Sequence, residues 1–394
     1  MDIDRPLQAQ PEKKTCKRLL KSAVVALFLV VLVLLPGAAV LHSSTIKEVS
    51  SADPARDRAL SASLDKPEIT QVPVQVDLAE YETTQNQDQP VIEPIDYRLL
   101  CFDTDSLYTY DQLVTDITET IQAYEGMVSS DVIGRSVQGK DIYALTVGRG
   151  PVYVLLTAGV HARENANTPL IMQCLFDYLY AAAAGDEEKA QMLDKVTLVV
   201  VPLVNPDGYE YCLKKHNGKK KTNANNVDIN RNFPCKYWGS KVKKPGNFYP
   251  GLFPGSEPET QAIMALFDRY SFALAIDIHS RAREIICQKG GYTVDDISTS
   301  ENPETLNEIS LSLARYLRED IKYKLIKELK VKKGEEGTLT DYAFSRGVPT
   351  ITFETLKYRK NRLASPAEIQ KEYAFFDWPS ALYKIAAFAA DTVQ

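Results

Sequence analysis

The chain has 394 residues, of which 44% are hydrophobic and 25% are charged, and its formal net charge is −6. This composition is that of an ordinary globular protein. A net negative charge without a basic face or an aromatic–basic motif gives no reason to expect nucleic acid as a partner. Histidine is scarce, with four copies at His42, His161, His216 and His279.

The N-terminal region predicts a membrane anchor. Residues 13–21 are basic, and residues 23–41 carry no charge. At ~1.5 Å per helical residue the uncharged run spans roughly 29 Å, about one bilayer core. The long basic segment before it favours an uncleaved signal-anchor, and a cleaved signal peptide, which would give a secreted protein, is the alternative. The positive-inside rule then predicts a cytoplasmic tail at 1–22 and an extracellular remainder.

Residues 42–105 predict a flexible stalk. They are rich in Ser, Asp, Gln, Pro and Thr and show no sustained periodicity. Such a segment buries too little apolar surface to offset the entropy lost on ordering.

The first predicted helix covers 108–126, where four apolar residues recur at helical spacing. They are Leu113, Ile117, Ile121 and Tyr124. Residues 168–185 predict a second helix, with Thr168 as its N-cap, Pro169 in its first turn and Gly185 at its end.

Strands and helices then alternate to the end of the chain. The predicted strands are DIYALTVG, VYVLLTAGV, KVTLVVVPLV, FALAIDIHS and VPTITFE, and further helices are PETQAIMALFDRY and PETLNEISLSLARYLRED. This alternation predicts a single α/β domain over 106–394, with a mixed, mostly parallel central sheet covered by helices on both faces.

Four of these strands end in polar residues. His161 and Glu164 follow one strand, Asn205 follows the next, and His279 and Glu354 end the last two. Ligands bind outside the carboxyl ends of strands in open α/β sheets, so these groups are expected to converge. The alternative interpretation is that each histidine is structural and bonds to a backbone carbonyl. This interpretation is weaker because two of the four histidines occupy equivalent strand ends.

Two imidazoles and one carboxylate, from His161, His279 and Glu164, form a common catalytic zinc set with one position left for water. Their spacing differs from HExxH, in which both histidines lie on one helix. Zinc would lower the pKa of its bound water toward about 7 and polarise a carbonyl group. Glu354 is the candidate general base for that water, and a structural ion pair is its alternative role.

The motifs HARE, NPDG, NVDINRNFP, DIHS and TFE occur in this order across 108–394. Over this region the chain resembles the zinc metallocarboxypeptidases of the carboxypeptidase A/B type. The resemblance implies one zinc ion per domain, bound by His161, Glu164 and His279. It also implies hydrolysis of the C-terminal peptide bond of peptides by a zinc-bound water that Glu354 activates.

The same resemblance implies that Asn230 and Arg231 hold the C-terminal carboxylate of the substrate. The planar guanidinium of Arg231 suits bidentate carboxylate binding, and a surface salt bridge is the alternative. Arg163 is expected to face an anionic group of the substrate.

The chain departs from this family in several positions. Where the family has an arginine that polarises the scissile carbonyl, the chain has three lysines at 219–221. Lys220 aligns best, and a solvated lysine face is the alternative. The tyrosine that closes over the substrate is expected upstream of Asp341 in KVKKGEEGTLTDYAF, but no tyrosine lies there, and Tyr342 lies beyond that position. Arg281 and Arg283 follow the second histidine, and they are expected either to bind substrate or to form structural ion pairs. Thr340 is expected to line the pocket for the terminal side chain of the substrate.

Two other functions remain open at this point. Bacterial relatives of the family cleave γ-D-glutamyl–diamino-acid bonds of peptidoglycan, and Arg281 and Arg283 would suit its extra carboxylates. An inactive carboxylate-binding module is the third hypothesis, which the complete zinc and base set argues against. The expected partners are a peptide or muropeptide with a free carboxylate and, through residues 23–41, a membrane.

Overall fold

The computed structural model describes residues 106–235, 238–239, 245–287, 303–326, 336–357, 361–375 and 377–392. The predicted tail, anchor and stalk therefore lie outside the described residues. Within the described part, no helix combines the length and the apolar character needed to cross a bilayer.

The described strands form one sheet in the order β1-β2-β4-β3-β5-β8-β6-β7. They are β1 (Val128–Arg135), β2 (Asp141–Val147), β3 (Val152–Ala158), β4 (Val196–Val201), β5 (Phe272–Ser280), β6 (Glu284–Cys287), β7 (Lys324–Ile326) and β8 (Thr350–Thr355). The four central strands β4, β3, β5 and β8 are parallel, as is the edge pair β6–β7. The pairs β1–β2, β2–β4 and β6–β8 are antiparallel. The predicted mixed sheet is confirmed.

The helices lie on both faces of this sheet. They are α1 (Tyr110–Ala123), α2 (Asn167–Ala183), α3 (Glu187–Lys195), α4 (Pro206–Lys215), α5 (Pro258–Arg269), α6 (Pro303–Leu317), α7 (Leu339–Ser345), α8 (Pro366–Phe375) and α9 (Trp378–Thr392). The apolar side chains of α5 and α7 join one core, and those of the other helices join a second core on the opposite face.

The central strands are apolar on both faces because each face packs against a core. In β3, Val154 and Leu156 belong to one core and Leu155 belongs to the other. Every residue of β4, with the sequence VTLVVV, is buried. A strand covered on both sides shows a continuous apolar run rather than alternation, which is why these segments are legible in the sequence.

The predicted N-cap of the second helix is wrong. The N-cap residue of α2 is Ala166, which provides no side-chain cap, and Thr168 lies inside the helix. The Thr168 hydroxyl is buried and donates instead to the carbonyl of Pro202, at 2.8 Å, in the loop after β4. Gly185 does follow the end of α2, where its positive φ of +99° suits glycine.

Candidate metal centre

The turn after β3 places His161 and Glu164 at the carboxyl edge of the sheet. Gly159 begins this turn with φ +66°, and a Cβ atom there would lie 2.6 Å from a methyl group of Leu203. Only glycine fits both the conformation and the close approach. The Ala162 N–H donates to the carbonyl of Lys221 at 3.0 Å, so this turn is bonded to the loop that follows α4.

Strands β5 and β8 bring the other two predicted groups to the same edge. His279 and Glu354 are directly opposite in the parallel register of these strands. The backbone N–H of Ser280 donates to Glu164 Oε2 at 3.1 Å, which ties the end of β5 to the turn after β3. Four groups from three distant segments of the chain therefore share one edge, as the strand pattern predicts.

The ligand atoms of His161, Glu164 and His279 lie within 4.8 Å of one another, and all three residues are buried. The two Nδ1 atoms are 3.1 Å apart. Glu164 bridges them, with Oε1 2.9 Å from His161 Nδ1 and Oε2 3.0 Å from His279 Nδ1.

Two buried aspartates fix the orientation of the imidazoles. Asp277 Oδ2 lies 2.6 Å from His279 Nε2, and Asp228 Oδ1 lies 3.2 Å from His161 Nε2. An ionised carboxylate only accepts hydrogen bonds, so each Nε2 carries a hydrogen. In the neutral imidazole, which is the form that binds a metal, Nδ1 then presents its lone pair. Two lone pairs and a carboxylate then face one point, and this donor set fits a divalent cation such as zinc.

The electrostatics of the cluster also favour a cation. Burial alone would raise the pKa of Glu164, but the adjacent His161 and His279 hold that pKa well below its usual range. Burial likewise works against ionisation of Asp228, yet the neighbouring His161 and Arg231 lower its pKa. Both carboxylates therefore stay ionised at neutral pH and supply negative charge at the centre.

The cluster opens into a cavity of about 260 Å³, called the metal-centre cavity here. Its lining comprises His161, Arg163, Glu164, Gly218, Lys221, Ser280, Arg281, Ala282, Glu284, Ile286, Glu354 and Asn361. Glu354 is partly buried, and burial together with the negative charge of Glu164 raises its pKa to about 7. A carboxylate in this state is suited to accept a proton near neutral pH.

The structure places Lys221, and not Lys220, in the metal-centre cavity. The ammonium group of Lys220 bonds to Thr222 Oγ1 at 2.7 Å and to Asn226 Oδ1 at 2.8 Å, and it lines a different cavity. The ammonium group of Lys220 therefore does not face the metal-centre cavity. Consecutive residues of a loop point in different directions, and only the contacts of each side chain decide which one faces the site.

Asn230 and Arg231 lie in a single turn of 3₁₀ helix beside the imidazoles. Asn230 Nδ2 is 3.1 Å from His279 Nε2, and its Oδ1 accepts from the Leu339 N–H at 2.9 Å. Arg231 Nη1 donates to the carbonyl of Asn230, whereas its Nε atom is buried and has no hydrogen-bond partner among the described residues. The Phe248 ring lies 6.0 Å from the Arg231 guanidinium carbon and 5.2 Å from Lys221 Nζ. Phe248 had no signal in the sequence, because a lone aromatic residue in a loop matches no pattern.

The remaining predicted residues divide between the cavity and the scaffold. Arg163 and Arg281 line the cavity, and Arg281 Nη2 donates to the carbonyl of Arg163 at 3.4 Å. Arg283 forms a structural ion pair with the buried Glu372, with a bond of 3.0 Å from Nε to Oε2. Thr340 is buried in the first turn of α7 with its hydroxyl 3.0 Å from that of Thr338, and it is not part of the cavity lining.

Asp277 and Asp228 were not singled out from the sequence, although signals existed. Asp277 is two residues before His279 on one strand, so both side chains lie on the same face. Asp228 lies in the NVDINRNFP segment, immediately before the 3₁₀ turn. A carboxylate at such positions is a candidate to orient a metal-binding imidazole.

The chain is similar to known proteins along most of the described domain. A family model described as zinc carboxypeptidase matches residues 114–377, about two thirds of the chain. Carboxypeptidase M of Mus musculus is 28% identical over 49% of this chain and 41% of its own length. The gamma-D-glutamyl-L-diamino acid endopeptidase 1 of Lysinibacillus sphaericus is 29% identical over 45% of this chain and 52% of its own length. The chain thus spans about half the length of these curated relatives.

Solved structures share the fold. A carboxypeptidase A from Helicoverpa armigera superposes with a TM-score of 0.58 at 21% identity, covering 73% of this chain and 75% of the other.

Proposed function

Because this chain belongs to the zinc carboxypeptidase family, we propose that it is a zinc-dependent carboxypeptidase acting on the C-terminal peptide bond of peptides. One observation carries the proposal. The Nδ1 atoms of His161 and His279 and the carboxylate of Glu164 converge in a cavity that also contains Glu354.

Each residue has a role that follows from its position. Zinc, when bound by His161, Glu164 and His279, would act as a Lewis acid and lower the pKa of water. Glu354 accepts the proton of the attacking water and then delivers it to the leaving amine. A pKa near 7 allows Glu354 both to take up and to release a proton at neutral pH. Lys221 supplies positive charge beside Glu354, where negative charge develops on the scissile carbonyl oxygen.

The carboxylate of the substrate would bind at Arg231 and Asn230. The unpartnered Nε of Arg231 provides a donor that a carboxylate can satisfy. Arg163 and Lys221 add positive charge to the same cavity. This set selects a free C-terminus over an amidated one.

The test uses the full chain with one peptide in two forms, with a free C-terminus and as its amide. We expect zinc-dependent release of the terminal residue from the free peptide only, with loss of activity in o-phenanthroline. Glu354→Gln should retain zinc, measured by atomic absorption, and lower kcat by about 10²–10⁴-fold. Glu284→Gln is the matched control, since Glu284 lines the same cavity but pairs with Lys324 at 3.4 Å.

Two results would contradict this proposal. Cleavage of neither peptide in the presence of zinc would remove the carboxypeptidase activity. Full activity of Glu354→Gln would exclude Glu354 as the general base.

Cleavage of a γ-D-glutamyl–diamino-acid bond is the second candidate. The similarity to the Lysinibacillus endopeptidase supports it. Release of the diamino acid from a muropeptide stem, at a higher kcat/KM than release from an α-linked peptide, would favour this function.

We also propose that residues 23–41 anchor the protein with its catalytic domain outside the cytoplasm. The uncharged run and the basic segment before it support this topology. Resistance of the protein to alkaline carbonate extraction, and digestion of the domain by protease added to intact cells, are the expected results. Recovery of a soluble protein that begins after residue 41 would instead indicate a cleaved signal.

A further inference from the structure

A second cavity of about 160 Å³ adjoins the metal-centre cavity, and Arg281 lines both. Four residues between β8 and α8, together with helix α8, supply most of the lining of this second cavity, called the Arg281 cavity here. Its apolar lining comes from Leu356, Leu363 and Ala364. No role in the proposed function uses this space.

The carboxylates of the Arg281 cavity are already neutralised. Glu372 is held by Arg283 and also accepts from the Leu356 N–H at 3.0 Å. Glu368 accepts two bonds from the Arg362 guanidinium, at 2.8 and 2.6 Å. Neither is therefore available to bind a cationic ligand.

The two lysines of the cavity are not neutralised in the same way. Lys357 and Lys371 are exposed at its rim and form no ion pair with any residue that the structure describes. Arg281 donates to the backbone carbonyls of Arg163 and Arg362 at the border between the two cavities. The Arg281 cavity therefore combines an apolar lining with the positive charge of the two lysines at its mouth.

The position of the cavity indicates which part of a substrate reaches it. Arg231 and Phe248 flank the metal-centre cavity at Lys221, whereas the Arg281 cavity meets it at Arg281. A peptide whose terminal carboxylate lies on Arg231 has its scissile bond at the metal centre. Its upstream residues are then free to extend toward Arg281.

We infer that the Arg281 cavity binds a carboxylate-bearing side chain on the acyl side of the scissile bond. This inference rests on the proposed carboxypeptidase function. A glutamate-like side chain matches the site, since its methylene groups contact the leucines while its carboxylate meets Lys357 and Lys371. The site would thus select acidic peptides or muropeptides that carry an upstream carboxylate.

The experiment compares two peptides that differ only by Glu or Gln at the residue preceding the scissile bond, and a second pair with the change one residue further upstream. We expect kcat/KM of the wild-type chain to be about fivefold higher for the Glu peptide than for the Gln peptide in at least one pair. This is the size of effect expected from charge contacts with two exposed lysines. The preference should fall in 0.5 M NaCl because exposed charges are screened. Lys357→Gln/Lys371→Gln should reduce the Glu/Gln ratio to about one.

Lys195→Gln is the matched control, because Lys195 is an exposed lysine directly before β4, at the edge of the sheet away from the site. It should keep the wild-type ratio. Equal cleavage of Glu and Gln peptides by the wild-type chain would overturn the inference and leave the carboxypeptidase function standing. An unchanged ratio in the double variant would also overturn it, and cleavage of no peptide at all would overturn both.

Discussion

Asp277 offers the sharpest test of how this fold prepares its metal centre. The side chain is fully buried and accepts two bonds, from His279 Nε2 at 2.6 Å and from Thr157 Oγ1 at 2.8 Å. Asp277→Asn keeps the shape and removes the charge. The amide can still turn its oxygen toward His279, so a charge-assisted hydrogen bond becomes a neutral one.

The size of the effect follows from that exchange. A hydrogen bond to a charged group contributes about 1.5–3 kcal/mol to stability, and a hydrogen bond between neutral groups contributes about 0.5–1.5 kcal/mol. The difference of roughly 1–2 kcal/mol corresponds to a five- to 30-fold loss of zinc affinity, since about 1.4 kcal/mol is tenfold. Loss of a carboxylate behind a metal-binding histidine typically lowers metal affinity by about 10–100-fold, and the expected loss of zinc affinity overlaps this range.

Competition with a chromophoric chelator at constant pH measures the zinc Kd, and circular dichroism monitors the fold. Thr157→Val is the control, because it removes the other bond to Asp277 and leaves the Asp277–His279 contact in place. We expect Thr157→Val to lower the free energy of unfolding by about 1–3 kcal/mol while the zinc Kd changes by less than about threefold. A zinc Kd within twofold of wild type for Asp277→Asn, or equal losses in both variants, would refute the reasoning that Asp277 acts through His279.

Three further predictions follow from neighbouring groups. Lys221→Ala should lower kcat/KM by about 100-fold while Lys220→Ala stays within about twofold, and the reverse order in steady-state assays would assign the catalytic charge to Lys220 instead. Phe248→Leu should raise KM about threefold with kcat unchanged, because its ring lies over Lys221 and Arg231; the same change at the exposed Phe253 should leave both constants unaltered. Burial raises the pKa of Glu259 to about 7. Its unfolded pKa is near 4.5, so the folded chain holds this proton more tightly and stability falls, by up to about 3 kcal/mol, as pH rises from about 4.5 to about 7. Urea unfolding at pH 5 and pH 8 should show a flatter pH dependence for Glu259→Gln, and an identical slope would exclude the effect.

The sequence by itself determined the fold class and the meeting of four groups at one edge. Strands buried on both faces are continuous apolar runs, so their ends are visible as the point where polar residues begin. His161 and Glu164 follow β3, and His279 and Glu354 end β5 and β8, which run parallel in neighbouring positions. Parallel strands end at a common edge, and the order of motifs along the chain was enough to place these side chains together.

Only the tertiary structure decided what each loop residue and each long-range partner does. Lys220 and Lys221 are equivalent in the sequence, and the bonds to Thr222 and Asn226 turn one of them away from the site. The sequence predicts Thr168 as a helix cap, but in the folded chain its hydroxyl donates to the carbonyl of Pro202. Arg283 and Glu372 are 89 residues apart, yet form one ion pair. Side-chain directions in loops have no period, and contacts between distant segments exist only once the chain is folded, so neither leaves a pattern in a single sequence.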